Sequence, residues 1–155
     1  MKFLLTKELH QNPLLKLLVV FFIGIIGLFL VSDVILHHYQ IGLTPLLASE
    51  SLLGNEATFV EPMLFDVLLE RVHIDIFISM ITLMLVAIIY IRISNTNSKG
   101  FIHIAFISAI LTHISLLLAY FYGTIFAVSW IVLFFLWHIL ALYFSLTIIW
   151  QLLRS

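Results

Sequence analysis

The residues of this chain that can do chemistry are histidines and charged side chains set within apolar segments. The stretch DVLLERVHIDIF begins at Asp66, and helical periodicity places Asp66, Glu70 and His73 on one face. Arg71 and Asp75 are four residues apart, so they can form an ion pair on a neighbouring face. An ionisable side chain is costly in hydrocarbon unless it faces a partner, a cavity or a cofactor. The stretch therefore predicts a polar site inside a membrane.

Three histidines are expected to share one layer of the bilayer. With a rise of about 1.5 Å per residue, His73 and His113 lie about 14 Å below the outer ends of their helices, and His138 lies about 20 Å below. Asp33 lies near the outer end of the first apolar segment. We therefore predict a polar site in the outer half or the middle of the bilayer, with a carboxylate cluster formed by Asp33, Asp66 and Asp75.

One cofactor that suits this layer is haem b. It needs two imidazoles from different helices and no cysteine, and the chain contains none. His73 paired with either His113 or His138 meets that need, and Arg71 is placed to pair with a haem propionate. The predicted cofactor-binding residues are therefore His73, His113, His138 and Arg71.

A copper, iron or zinc ion is the alternative cofactor. Glu70-x-x-His73 has the spacing by which di-iron bundles present two ligands from one helix. Such bundles carry the motif twice, whereas this chain carries it once. A single ion held by Glu70, His73 and His113, or with His138 in place of His113, stays open.

Two hypotheses need no cofactor. In one, the carboxylates and histidines relay protons or pass a cation inward from an acidic mouth. In the other, the histidines form hydrogen bonds between helices and have a structural or assembly role. Nucleic-acid binding has no support, because the net charge is -1 and there is no basic block.

Four apolar segments are long enough to position these residues across a bilayer. Hydrophobic residues make up 63% of the chain, charged residues 10%, and the mean hydropathy is +1.22. Soluble domains carry about a quarter charged residues, and a membrane helix needs about 20 apolar residues. We predict an all-α integral membrane four-helix bundle, a single domain over residues 1–155 with spans at about 14–36, 64–91, 101–122 and 124–152.

Basic residues indicate the orientation. The lysines and arginines outside the predicted spans or at their ends lie on one side, and they are Lys2, Lys7, Lys16, Arg92, Lys99 and Arg154. The loop 37–63 carries three glutamates and neither Lys nor Arg. By the positive-inside rule, both termini are cytoplasmic and this loop lies outside. We expect His37 and His38 at the surface where the loop begins, and a short interfacial helix or an irregular lid after Pro45.

Two short motifs carry a resemblance. They are Gly42-Leu43-Thr44-Pro45 after the first span and Leu69-Glu70-x-x-His73-x-Asp75-x-Phe77 in the second. The chain resembles small uncharacterised four-helix inner-membrane proteins of proteobacteria. The resemblance implies a polar site built from the loop and the top of the second span. In that family a histidine often stands at the position of Asp75, which argues against a direct ligand role for Asp75 here.

Together these observations predict a small multi-pass protein of a bacterial inner membrane, with the lipid bilayer as its surroundings. The leading hypothesis is a redox protein or an accessory subunit of a respiratory complex that binds haem b or a metal ion, more readily a subunit than an enzyme by itself. Other membrane subunits or a second copy are the expected partners. The alternatives are a structural or assembly protein and a proton- or ion-translocating protein.

Overall fold

The computed structural model describes residues 12–94 and 99–154. It contains four long helices, α1 (Pro13–Gln40), α3 (Phe65–Ile93), α4 (Lys99–Tyr122) and α5 (Thr124–Arg154). A shorter helix, α2 (Pro45–Leu53), and a 3-10 turn at Glu56–Thr58 lie between α1 and α3. The four long helices are apolar enough to cross a membrane. The predicted all-α membrane bundle is confirmed, and the described residues form no strand. Lys2 and Lys7, used above for orientation, lie outside the described residues.

Helix α1 extends further than its apolar run. It begins after Asn12, whose side-chain Oδ1 accepts hydrogen bonds from the backbone N–H groups of Leu14 and Leu15. It continues to Gln40, four residues beyond the predicted end of the span at residue 36. Because the helix does not stop there, His37 stays on the helix face that carries Asp33, one turn earlier.

Helix α2 packs onto the bundle. Thr44 caps its first turn, with Oγ1 accepting from the N–H of Leu47 at 3.3 Å. Gly42 (φ +91°) makes the turn that leads into α2, a backbone conformation that favours glycine. The helix lies against α4 and α5, and the Ser49 hydroxyl donates to Thr124 Oγ1 at 3.2 Å. We expected either a short helix or an irregular lid after Pro45, and the structure contains the helix.

Helix α5 is central to the bundle, because it packs against α1, α2, α3 and α4. Two separate groups of buried apolar side chains surround it. The group near α2 includes Ile41, Leu52, Leu68 and Trp130. The group toward the other end of the long helices includes Ile23, Leu83, Phe144 and Ile148. The polar residues described next lie between these two apolar layers.

Candidate functional site

Two carboxylates and two histidines from three helices form one buried cluster, which we call the Asp–His cluster: Asp33, His37, Asp75 and His138. His37 Nε2 lies 3.2 Å from Asp75 Oδ2, so that it joins α1 to α3. His138 Nε2 lies 3.0 Å from Asp33 Oδ2, so that it joins α5 to α1. His37 Nδ1 is also 3.4 Å from Asp33 Oδ1. The exposed fractions of the side chains are 5% for His37 and 2% for His138, against 14% for Asp33 and 20% for Asp75.

Each imidazole is oriented by its own helix. His37 Nδ1 donates to the backbone carbonyl of Asp33 at 2.9 Å, and His138 Nδ1 donates to that of Phe134 at 2.8 Å. The Phe134 ring lies between them, with centroids 4.8 Å from His37 and 4.1 Å from His138. The Trp137 ring lies beside that of His138, with centroids 3.7 Å apart and the planes tilted by 40°. These contacts fix both rings so that each Nε2 faces a carboxylate.

The hydrogen bonds require a proton in each imidazole–carboxyl contact. A backbone carbonyl only accepts, so Nδ1 of His37 and of His138 carries a hydrogen. The Nε2 atoms then face carboxyl oxygens, and a hydrogen bond forms only if a proton sits on one side or the other. The cluster thus holds two protons and is neutral as a whole. The internal pairing offsets the cost of burying these groups, and removing one partner leaves the other uncompensated.

A narrow cavity adjoins the cluster and includes one further histidine. Asp33, His37 and Asp75 line it together with Ser79 of α3 and His113 of α4. The Ser79 hydroxyl donates to the carbonyl of Ile76 at 3.1 Å, and His113 Nε2 lies 3.0 Å from the same hydroxyl. The cavity leaves about 20 Å³ for the centres of water molecules, which is room for about one water. It is too small for a porphyrin ring.

The predicted ion pair between Arg71 and Asp75 is wrong. Asp75 contacts His37 of α1 instead. Arg71 forms no ion pair with any described residue, and its Nη1 is buried without a hydrogen-bond partner. The reason is tertiary, because the approach of α1 supplies Asp75 with an imidazole that the isolated α3 sequence does not show.

Of the other residues predicted for the site, Asp66, Glu70 and His73 lie apart from this cluster. Asp66, Glu70 and His73 are exposed on α3, whereas His113 and His138 are buried. The described residues contain no group of three His, Asp or Glu side chains arranged to hold a metal ion. His138 uses both ring nitrogens in hydrogen bonds to protein atoms, so neither is free for iron. The haem and metal hypotheses for His73 stay predictions.

His37 is the member of the Asp–His cluster that the sequence did not predict to lie inside the bundle. We expected it at the surface, where the apolar run ends, but it is 4% exposed. The signal was present in the spacing Asp33-x-x-x-His37, since residues four apart meet on one helix face. With α1 continued by one turn, Asp33 and His37 form a pair that points into the bundle.

The Asp–His cluster lies close to one boundary of the hydrocarbon. Measured along the helices at 1.5 Å per residue, Asp33 is about 26 Å from Lys16, Asp75 about 26 Å from Arg92 and His138 about 24 Å from Arg154. The hydrocarbon core is about 30 Å thick. If the basic residues mark one boundary, the cluster sits a few ångströms inside the other.

The fold and the apolar helices define a multi-pass membrane protein with a buried polar cluster. Residues 42–155 match the model of the Aq_1264_TM family, which is described as a transmembrane helical domain. The match spans more than half of the chain, and the protein belongs to this family. No curated protein and no solved structure matches the chain. The matched range contains Asp75, His113 and His138, while Asp33 and His37 precede it.

Proposed function

We propose that the protein is a proton-responsive membrane protein, in which the charge state of the Asp–His cluster sets how α1 docks against α3 and α5. The observation that carries this proposal is the arrangement of His37 and His138. Each has Nδ1 committed to a backbone carbonyl and Nε2 against a carboxylate. A change in proton number therefore breaks a contact between two helices rather than a contact within one.

The surroundings support exchange with water on one side. His37 faces Asp33 on its own helix and Asp75 on α3, while the rings of Trp130 and Phe134 cover it from α5. Asp33 and Asp75 keep part of their side chains exposed. The adjoining cavity has room for about one water molecule. The cluster therefore has the acids, the bases and the space that proton exchange requires.

Binding is favoured over translocation. Beyond the cluster, toward the basic end, the buried core is a layer of apolar side chains. The buried hydroxyls of Ser108 and Ser145 donate to backbone carbonyls of their own helices, at 3.0 and 2.8 Å. Of the described histidines, His103 lies in this half and is exposed. Among the described residues of that half, Tyr90 is the buried titratable side chain, and its hydroxyl has no hydrogen-bond partner, so it does not continue a relay from the cluster.

The second candidate is a purely structural role. The same two contacts tie α1 to α3 and to α5. Of the four long helices, α1 has the smallest fraction of buried residues in its most apolar 18-residue stretch, 17%. Polar hydrogen bonds between membrane helices contribute about 0.6 kcal/mol each on average. If the role is structural, the cluster fixes the position of α1, and the number of protons bound to it stays constant under physiological conditions.

The test uses the fluorescence of Trp130 and Trp137, whose rings lie against His37 and His138. A protonated imidazole quenches indole fluorescence, and the ring centroids of Trp137 and His138 are 3.7 Å apart. We expect the fluorescence of the purified protein in detergent to change with pH, and the change to be lost in His138→Gln and reduced in His37→Gln. The matched control is His38→Gln, since His38 is the exposed neighbour of His37.

The outcomes separate the candidates. A pH response that survives both His37→Gln and His138→Gln overturns the proton-responsive proposal. Variants that unfold at lower temperature, in a protein whose fluorescence does not respond to pH, support the structural role. Proton flux into liposomes above that of protein-free vesicles, abolished by the same variants, replaces proton binding with translocation.

The membrane in which the chain lies, and its orientation there, are also part of this proposal. We place the chain in a bacterial inner membrane with both termini cytoplasmic, on the strength of the basic residues at one end. The chain has no cysteine, so single cysteines can be labelled without background. An impermeant maleimide added to intact spheroplasts should label Thr58→Cys and not Ser155→Cys. The reverse pattern refutes this orientation.

A further inference from the structure

Arg71 is a cation without an acceptor. Its side chain is half-buried on α3, and Nη1 is buried with no hydrogen-bond partner. Asp75, one turn further along, is engaged with His37. Glu70, the adjacent carboxylate, is exposed and forms no ion pair in the described part of the chain. A buried guanidinium nitrogen without an acceptor is costly, and unpaired cations of this kind mark binding sites in membrane proteins.

The Asp–His cluster has no net charge to offset that of Arg71. The Asp–His cluster contains two carboxylates and, by its hydrogen bonds, two protons on or beside two imidazoles. It therefore contributes no net charge, and Arg71 adds one positive charge beside it. Asp66 and Glu70, the carboxylates on the same stretch of α3, are exposed and form no ion pair with Arg71 in the described part of the chain.

The position of Arg71 along α3 limits what can supply an acceptor for its Nη1. Arg71 precedes Asp75 by one helical turn, which places it about 6 Å nearer the end of the bundle at which α2 lies. The cluster itself is about 26 Å from the basic end, so Arg71 reaches about 32 Å, the level of the hydrocarbon boundary. At this level a membrane presents the phosphates of its lipids.

We propose that Arg71 binds a phosphate group at the membrane boundary, presented by a lipid headgroup or free in solution. A guanidinium matches phosphate oxygens with two parallel N–H bonds, which an ammonium does not reproduce. The accessible part of the side chain admits the ligand, and binding requires the guanidinium to turn Nη1 toward it. Arg71 makes no described contact with His37 or His138, and the Asp75 carboxylate of the cluster interacts with it electrostatically over a longer distance.

The experiment compares ligands on the detergent-purified full chain by native mass spectrometry. The probes are phosphatidylglycerol, diacylglycerol with the same acyl chains, and inorganic phosphate. We expect wild type to retain phosphatidylglycerol at least ten times more tightly than Arg71→Gln does, with diacylglycerol bound equally weakly by both. Arg154→Gln is the matched control, because Arg154 lies 3.6 Å over the Trp150 ring at the opposite end of the bundle.

Each result decides the proposal. Equal retention of phosphatidylglycerol by wild type and Arg71→Gln overturns it, as does an equal loss in Arg154→Gln. Competition by millimolar inorganic phosphate identifies the free anion as the ligand, and its failure to compete identifies the lipid. If Arg71→Gln does not fold, Arg71→Lys serves instead, and it should bind more weakly than wild type while keeping the charge. Undiminished binding by Arg71→Lys argues against the two-bond geometry and overturns the assignment.

Discussion

Replacing Asp33 by asparagine tests whether the Asp–His cluster holds the bundle together. Asparagine keeps the size of the side chain and removes the charge. Asp33 Oδ2 contacts His138 Nε2 at 3.0 Å, and Oδ1 lies 3.4 Å from His37 Nδ1. The backbone carbonyl that His37 uses is unaffected by the change. One charge-assisted hydrogen bond and one longer electrostatic contact are therefore lost.

The magnitude follows from these contacts. A hydrogen bond to a charged group contributes about 1.5–3 kcal/mol to stability. The Asp33 side chain is 14% exposed, so solvent screening reduces this little. Asparagine can still form a neutral hydrogen bond to His138, which recovers part of the loss. We expect the free energy of unfolding to fall by about 2 kcal/mol, more than the average of about 0.6 kcal/mol for a polar hydrogen bond between membrane helices, because this contact is buried and charge-assisted.

The assay is unfolding of the protein in mild detergent by titration with a denaturing detergent, followed by circular dichroism. Asp66→Asn is the control, because Asp66 is exposed and, among the described residues, accepts a hydrogen bond only from the N–H of Val67. We expect it to change stability by at most about 0.5 kcal/mol. A double-mutant cycle of Asp33→Asn with His138→Gln should show coupling of about 1.5 kcal/mol or more. Coupling near zero, with Asp33→Asn as stable as Asp66→Asn, would falsify the assignment of this contact as stabilising.

Two further changes test the elements around the cluster. In Gly42→Ala, the new Cβ collides with the Leu47 side chain at a left-handed backbone position, so we expect a loss of more than about 2 kcal/mol, measured by the same unfolding assay. Gly24→Ala has open space and should be neutral or stabilising by up to about 1 kcal/mol; a similar loss in both variants contradicts the turn argument. Ser79→Ala removes the hydroxyl that contacts His113 and should cost about 1 kcal/mol, and an unchanged unfolding curve argues against that bond.

The polar site was only partly predictable, for reasons that particular residues show. Asp33, Asp75 and His138 stand out in sequence because charge is rare in apolar segments. Their mutual contacts depend on how each helix is rotated and which helix is its neighbour, and periodicity within one helix does not give that. His73 illustrates the limit, since it has the expected depth but points away from the bundle and is exposed. The Glu70-x-x-His73 motif therefore describes one face of α3 and not a shared site.

The sequence alone determined the class of protein, because four apolar segments of membrane length leave the backbone only helical hydrogen bonding to adopt. It also determined that polar groups concentrate toward one end of the bundle. Only the tertiary structure decided which groups meet. The packing of α1 on α5 brings Asp33 to His138, and the unbroken last turn of α1 brings His37 to Asp75. Those pairings are set by interhelical packing and buried charge, which act between segments far apart in the chain.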